Sequence, residues 1–426
     1  MDARIRIALA VAVLTGALAL APAALAQTSI GGFARSPAGK PLPGVAFTVR
    51  KGATTVGSAR SDAQGQWRVQ VPGAGTYAVA VDPRTIPHRF VLRTGQARLP
   101  AVQVQAGETR FVIFPLVPRG QAGRAPSGPS AASQIATLAL QGVRLGMIIA
   151  MAAIGLSLIY GITGLVNFAQ GELVTFGGLI AWWLSSWGGG PGWPLVPSAL
   201  LAVCAGAGLG WALDSGLFAP LRRRRTGNIA LIVVTIGLSL ALQNLYLITV
   251  GGQPVPFDQY TIQQQVGPGP FTLAPKDWTI IALSAAILVA IAVLLQRTRF
   301  GTAMRAVADN RDLAAASGIA VPRVVRATWV GAGALAATGG VFLGVSEAVS
   351  WSMGLDILLL MFAAVVLGGI GTAYGPMAGA LAIGLVTQIS TYWVDPQIKN
   401  AIAFVVLIAV LLLRPQGLLG RRERIG

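Results

Sequence analysis

The sequence predicts a polytopic all-α membrane domain of about eight to nine spans, preceded by a small all-β sandwich domain. Of the 426 residues, 54% are hydrophobic and only 11% are charged, whereas an ordinary soluble domain carries about 25% charged residues. From about Ile135 onward, long apolar stretches dominate, and about 20 apolar residues allow a helix to cross a bilayer. Before that point, short stretches alternate apolar and polar residues between turn signals, which is typical of β-strands.

Residues 1–26 are predicted to be a secretory signal peptide. Arg4 and Arg6 form a basic start, residues 7–20 are apolar, and the Ala-Leu-Ala sequence at 24–26 supplies small residues at a cleavage position. We expect cleavage after residue 26, and an uncleaved anchor helix is the alternative.

Residues 27–118 are predicted to form the β-sandwich domain, which export places outside the cytoplasm. Asp62 and Gly65 fit a hairpin loop, because Asp bonds to its own backbone and Gly adopts positive φ. The predicted strands include residues 45–49, 66–71, 77–81 and 110–114. Residues 119–134 are rich in Gly, Pro, Ala and Ser and are predicted to be a flexible linker to the membrane domain, residues 135–426.

The membrane domain contains nine candidate spans, of which the last three are the least certain. A Gly-rich stretch, residues 368–376, interrupts the apolar run, either as a tight turn or as a break inside one tilted helix. The candidates are residues 143–162, 168–187, 195–218, 228–250, 278–296, 327–346, 356–370, 376–393 and 400–414.

Arginine counts predict the orientation of this domain. The loops at 222–225, 297–326 and 414–424 hold four, six and four Arg, whereas the loops between them hold only Lys276 and Lys399 as basic residues. Because cytoplasmic loops are enriched in Lys and Arg, the Arg-rich loops and the C-terminus are expected inside the cell. An outside start of the membrane domain agrees with an exported β-domain.

Several kinds of chemistry are excluded by residue counts and motifs. The net charge of +18 is explained by cytoplasmic loops, and no basic stretch is interleaved with aromatic residues as nucleic-acid binding requires. The single Cys204 and single His88 leave no disulfide, no multi-ligand metal site and no histidine catalysis in the membrane domain. We therefore expect no catalytic residues, no bound metal and no enzyme activity in this chain.

Two stretches with Gly and polar residues predict the path of a transported solute. Residues 161–178 and 367–379 interrupt corresponding apolar runs, and a freed backbone in a membrane is tolerated where it faces a cavity. Glu172 has a second interpretation as a helix-start acid, and Asn167 as a helix cap. The candidate path residues are Asn167, Gln170, Glu172, Gly368, Gly369 and Gly371.

The segment at 297–326 is predicted to contain a short helix along the membrane surface. Its apolar residues recur at helical spacing, and Gly318 is suited to end the helix. Such a helix either docks in a groove of a cytoplasmic partner or merely joins two spans. The apolar positions are Met304, Val307, Ala308, Leu313 and Ala316.

Several motifs resemble the branched-chain amino acid type of ABC importer permease. They are residues 160–172 (YGITGLVNFAQGE), 305–319 (RAVADNRDLAAASGI), 362–371 (FAAVVLGGIG) and 414–420 (RPQGLLG), and the resemblance covers nearly all of 140–422. Separately, the turn motifs within residues 39–77 resemble the carboxypeptidase regulatory-like domain family, which implies a fold and not an activity.

The permease resemblance implies an ATP-coupled importer whose ATPase contacts residues 305–318. The coupling residues it implies are Arg305, Asp309, Arg311, Asp312 and Gly318. No G-x-x-x-x-G-K-[ST] motif occurs, so ATP is expected on separate cytoplasmic ATPase subunits. The other implied partners are a second, identical or related permease and a periplasmic solute-binding protein.

The expected solutes are leucine, isoleucine and valine, with urea or a short amide as the alternative within the family. A passive channel or an ion-coupled carrier is the rival of another class, and a surface adhesion or sensing protein is a third. Two positions depart from the family pattern. Gln170 stands where many relatives carry His, and Arg144 stands where a small polar residue is common and is expected to extend to the outer surface.

Overall fold

The computed structural model describes residues 28–36, 40–92, 97–104, 109–112, 114–119, 131–186, 190–257, 260, 273–369, 374–395 and 398–413. They form two compact units, one of β-strands up to residue 119 and one of helices from residue 131. The predicted signal peptide lies outside the described residues, as do residues 120–130 of the predicted linker.

The β unit has three sheets in its described part. Strands β4-β1-β8 form one sheet, β3-β2-β5-β7 a second and β6-β9 a third. All pairs are antiparallel except β1 with β8. The strands are β1 Ser29–Phe33, β2 Ala46–Lys51, β3 Thr54–Arg60, β4 Gln66–Gln70, β5 Gly75–Val81, β6 Phe90–Leu92, β7 Arg98–Val104, β8 Thr109–Phe111 and β9 Leu116–Pro118.

The two larger sheets face each other across one apolar core. Phe47 of β2 stacks on Trp67 of β4, with ring centroids 4.3 Å apart, and both side chains are buried. The predicted hairpin loop is confirmed: Asp62 Oδ1 accepts hydrogen bonds from the backbone N–H groups of Gln64 and Gln66, and Gly65 has φ of +77°. The alternation of the sequence therefore corresponds to strands with one buried face.

The helical unit follows the apolar stretches of the sequence. A π-helical turn, Leu213–Phe218, separates α3 from α4. The helices are α1 Ala131–Thr163, α2 Gln170–Ser185, α3 Leu195–Ala212, α4 Ala219–Arg223, α5 Asn228–Val250, α6 Pro275–Arg297, α7 Arg299–Asp309, α8 Arg311–Ala316, α9 Val321–Ser346, α10 Met353–Gly368, α11 Gly375–Ser390 and α12 Lys399–Leu413.

Among the described residues, five helical stretches are long and apolar enough to cross a membrane. They are α1, α3 continuing through α4, α5, α6 and α9. Helices α2, α10 and α11 have 16 residues each, which is about 24 Å at 1.5 Å per residue and shorter than a bilayer core of about 30 Å. Helix α1 begins at Ala131, so the last four residues of the predicted linker are helical.

The Gly-rich break separates two helices that fold back on each other. Helix α10 ends at Gly368, and Gly369 follows with φ of +102°. A Cβ on Gly379 of α11 would lie 2.8 Å from the Gly368 nitrogen and 3.0 Å from the carbonyl carbon of Ala364. The helices on the two sides of the break are therefore antiparallel, and they are not two parts of one tilted helix.

Helices α3 and α9 cross where small residues let the backbone of one helix contact the backbone of the other. A Cβ on Gly206 would lie 2.8 Å from the carbonyl oxygen of Gly333, so only glycine fits the crossing without displacement. Gly331, two residues earlier on α9, is exposed, and a Cβ there would meet nothing within 4 Å. Small residues at such contacts let helices pack closely in lipid.

Candidate functional site

Two buried amides lie at the start of α2. Asn167 and Gln170 are both fully buried. The Asn167 side chain accepts a hydrogen bond from the Ala169 N–H at 3.2 Å and donates one to Gln170 Oε1 at 3.2 Å. The Gln170 amide then donates to the carbonyl oxygen of Ala332 on α9, at 3.4 Å. Asn167 thus stabilises the turn before α2, and Gln170 ties this turn to α9.

Glu172 is an acid buried in the first turn of α2. Its side chain is 1% exposed. Ser239 Oγ donates to Glu172 Oε1 at 3.1 Å, and the Tyr246 hydroxyl donates to the Glu172 carbonyl oxygen at 3.2 Å. The second carboxylate oxygen, Oε2, has no hydrogen-bond partner among the described residues. An unpaired carboxylate is costly inside a membrane, so this atom marks an unsatisfied position.

The first of the two predicted path stretches, residues 161–178, contacts the first part of α10, and the second stretch begins at the last turn of that helix. The Phe168 and Phe362 rings lie 5.1 Å apart, and a Cβ on Gly171 would lie 2.8 Å from the carbonyl carbon of Gly354. Gly368 and Gly369 lie at the other end of α10, after Phe362. Gly371 lies outside the described residues.

The segment between α6 and α9 contains two helices where the sequence predicted one. Asn310 separates α7 from α8 in an extended conformation, and its Oδ1 caps α8 by accepting from the Leu313 N–H at 2.9 Å. The prediction of one continuous helix was wrong because an Asn cap with φ of −154° starts a new helix. The Gly318 stop is confirmed by its φ of +83° and by the Ile319 N–H bond to the Ala314 carbonyl.

Helix α8 presents nearly all of its side chains to the outside of the unit. Leu313 is 64% exposed, and only Ala314 is buried. The predicted coupling residues Asp309, Arg311 and Asp312 are likewise exposed. On α7, by contrast, Met304 and Val307 are buried against the helical unit. One helix therefore anchors the segment while the next projects from it.

Arg305 differs from the other predicted coupling residues. Its guanidinium donates to the carbonyl oxygen of Leu295 and, at 3.3 Å, to Thr302 Oγ1. The bond to Leu295 holds α7 against the end of α6, and the bond to Thr302 lies within α7. Part of the Arg305 guanidinium is therefore engaged within the chain.

A buried ion cluster near this segment was missed by sequence reasoning. Asp214, in the π-helical turn after α3, is 1% exposed. It pairs with Arg222 and lies 3.8 Å from the Arg326 Nε of α9. The available signal was an acid inside an apolar run whose flanking loops carry Arg.

At the other end of the helices, the loops poor in Arg come together. Val255 and Val349 form an isolated antiparallel bridge, and Lys276 Nζ donates to the carbonyl oxygen of Val345 at 2.8 Å. Arg144 is buried and pairs with Asp277 at 2.5 Å. The expectation that Arg144 extends to the outer surface was wrong, because a buried acid on α6 neutralises it inside the unit.

Apolar helices long enough to span a bilayer, packed through glycine around buried polar side chains, define a multi-pass membrane protein. Residues 138–411 match the family model described as branched-chain amino acid transport system / permease component. The chain belongs to this family of permease components, which confirms the resemblance inferred from the sequence.

Individual relatives cover the same part of the chain. The high-affinity branched-chain amino acid transport system permease protein LivH of Escherichia coli strain K12 is 32% identical over 295 residues, which are 66% of this chain and 94% of LivH. The permease protein BraD of Pseudomonas aeruginosa is 30% identical over 296 residues, covering 67% of this chain and 95% of BraD. The probable branched-chain amino acid transport permease protein LivH of Methanocaldococcus jannaschii is 27% identical over 291 residues, which are 64% of this chain and 89% of that protein.

Proposed function

We propose that this chain is the membrane-spanning permease subunit of an ATP-driven importer of branched-chain amino acids. The observation that carries the proposal is the similarity to LivH and BraD, whose names state this transport and of which the chain covers 94% and 95%. Separate ATPase subunits hydrolyse ATP. A periplasmic binding protein delivers the amino acid, and a second permease subunit completes the membrane part of the importer. The chain itself needs no cofactor.

The proposed orientation is an outside start and a cytoplasmic C-terminus, with nine crossings of the inner membrane. This orientation is supported by contacts that join the loops poor in Arg to one another and the Arg-rich loops to one another. Lys276 bonds to the end of α9, and Val255 pairs with Val349, at the end poor in Arg. Asp214 joins Arg222 and Arg326 at the Arg-rich end, which the positive-inside rule places in the cytoplasm. The β unit is then extracytoplasmic.

The α7–α8 segment is proposed to be the contact for the ATPase. Its support is the exposure of α8, because a helix with a 64% exposed Leu313 and exposed flanking charges is suited to enter a groove of a partner. Asp309, Arg311 and Asp312 are proposed to contact the ATPase. Gly318 is proposed to end the projecting helix sharply. Arg305 is assigned to holding the segment on α6.

The solute path is proposed to run beside the start of α2. Asn167, Gln170 and Glu172 are closed off in this conformation, so the path opens when α2 and α10 separate at their glycine contact. The unsatisfied Glu172 Oε2 is then a position for the ammonium group of an amino acid. Gly368 and Gly369 are assigned to the end of α10, where they let this helix move, and Gly371 stays a candidate path residue by its sequence alone.

The coupling proposal is tested by replacing both Asp309 and Arg311 with Ala in the complete importer. We expect ATP-dependent leucine uptake to fall by about tenfold, since loss of an interfacial charge contact costs roughly 1.4 kcal/mol or more, while insertion in the membrane is unchanged. Arg224→Ala is the matched control, because Arg224 is also an exposed residue and lies in another Arg-rich loop. Normal uptake by the double variant would contradict ATPase docking at α8.

A further inference from the structure

A cavity of about 120 Å³ opens at the end of the helical unit where the loops poor in Arg meet. Part of its wall is apolar and comes from α10, where Ile357 and Leu360 are 3% and 4% exposed. The same cavity is lined by charged side chains, Glu347, Asp356 and Lys399. It thus combines an aliphatic surface with charges of both signs.

The charges of this cavity are only weakly used by the fold. Lys399 Nζ lies 3.9 Å from Glu347 Oε1, and the two side chains are 27% and 49% exposed. An ion pair of this separation and exposure contributes little to stability. Asp356, in the first turn of α10, is hydrogen-bonded to the Ser352 side chain and is also exposed. Each of the three charges is therefore accessible to a solute.

Other charged groups at this end are bonded to groups of the protein itself. Arg144 and Asp277 form a buried pair at 2.5 Å, and Lys276 donates to the Val345 carbonyl oxygen at 2.8 Å. These contacts hold α1, α6 and α9 together beside the cavity. Arg144, Asp277 and Lys276 therefore have structural roles, whereas the other charged side chains face the cavity.

Asn400 gives a second, independent indication of a ligand. It lines the cavity on α12, and its Oδ1 atom is buried without a hydrogen-bond partner among the described residues. Buried acceptors are normally satisfied, so an unsatisfied one at a cavity wall is suited to an N–H donor from a solute. An ammonium group supplies such a donor.

We propose that this cavity is the outer site that first receives a zwitterionic aliphatic amino acid in the permease. The carboxylate pairs with Lys399, the ammonium group with Glu347, Asp356 and Asn400, and the side chain contacts the apolar surface of α10. The inference rests on the proposed import of branched-chain amino acids and adds a substrate site on this chain. It is separate from Glu172, which is buried deeper at the start of α2.

The test is equilibrium binding of tritiated leucine to the full chain in lipid nanodiscs. Leucinol lacks the carboxylate and isocaproate lacks the ammonium group, and both serve as competitors. We expect Lys399→Gln to raise the Kd for leucine by about tenfold, as loss of one charge-assisted contact implies, without changing that for leucinol. The double variant Glu347→Gln and Asp356→Asn is expected to weaken the binding of leucine and to leave the binding of isocaproate unchanged.

Asp395→Asn is the matched control, because Asp395 is an exposed acid before α12 that does not line the cavity. Unchanged leucinol binding shows that Lys399→Gln is folded. The inference is overturned if the wild-type chain binds no leucine. It is also overturned if Lys399→Gln leaves the affinity for leucine unchanged, or if it lowers the affinities for leucine and leucinol equally. Leucine uptake by the complete wild-type importer, measured in parallel, distinguishes these results from failure of the proposed transport function.

Discussion

Glu172 shows how one side chain fits two roles. Its position in the first turn of α2 favours a negative charge near the helix N-terminus. Yet one oxygen is bonded to Ser239 and the other has no partner among the described residues. A residue that served only the helix dipole would need no burial to 1% exposure. The unsatisfied oxygen is what favours a contact with solute.

We predict that Glu172→Gln lowers leucine uptake by the importer much more than it lowers expression. The substitution keeps the shape of the side chain and the bond from Ser239, but removes the charge that pairs with an ammonium group. The loss of a charge-assisted contact implies about a tenfold decrease in uptake. Quantitative blotting of membranes and initial uptake rates measure the two effects.

A structural role for Glu172 gives a different pattern. Loss of a helix-dipole interaction costs about 0.3–1 kcal/mol of stability, so expression and uptake would fall together and the melting temperature in detergent would decrease. Equal losses would therefore argue against the solute contact.

The sequence could identify the polar residues of the site but not their partners. Asn167, Gln170 and Glu172 are distinctive because they interrupt an apolar run. Ser239 and Ala332, which bond to them, lie 67 and 162 positions away from their partners. Neither has a local signal, since a Ser or an Ala carbonyl in a membrane helix is common. Tertiary packing alone brings them to the start of α2.

At the scale of elements, the positions of helices were predictable and their lengths and breaks were less so. Apolar composition locates the long helices, because burial in lipid or protein requires it. The division of the segment between α6 and α9 at Asn310 depends on a cap geometry that periodicity does not reveal. The turn at Gly369 was one of two interpretations of the Gly-rich break, and the contact between Gly379 and Gly368 distinguishes them.

A matched glycine pair on α9 tests the packing of elements. We predict that Gly333→Val destabilises the helical unit by about 1–3 kcal/mol, the usual cost of overpacking, because Gly333 contacts the α3 backbone at Gly206. Gly331→Val places the same side chain in open space two residues away and is expected to have little effect. Thermal unfolding in detergent measures both, and equal melting temperatures for the two variants would contradict the α3–α9 crossing.

At the scale of the whole molecule, two loop classes gather at opposite ends of the helical unit. The Arg-rich end carries the projecting α8 and the Asp214 ion cluster. The other end carries the cavity lined by Glu347, Asp356 and Lys399. This division suits a protein that receives a solute on one side of a membrane and an ATPase on the other.

Inward conduction of branched-chain amino acids at the expense of ATP is the function proposed for this chain. Leucine uptake by the complete importer, purified with its partner subunits and placed in liposomes, tests it directly. We predict that radiolabelled leucine accumulates only with ATP inside and the binding protein outside, and that isoleucine and valine compete while urea does not. Leucine flux through the chain alone without ATP, or accumulation of urea or short amides in place of leucine, would contradict the claim.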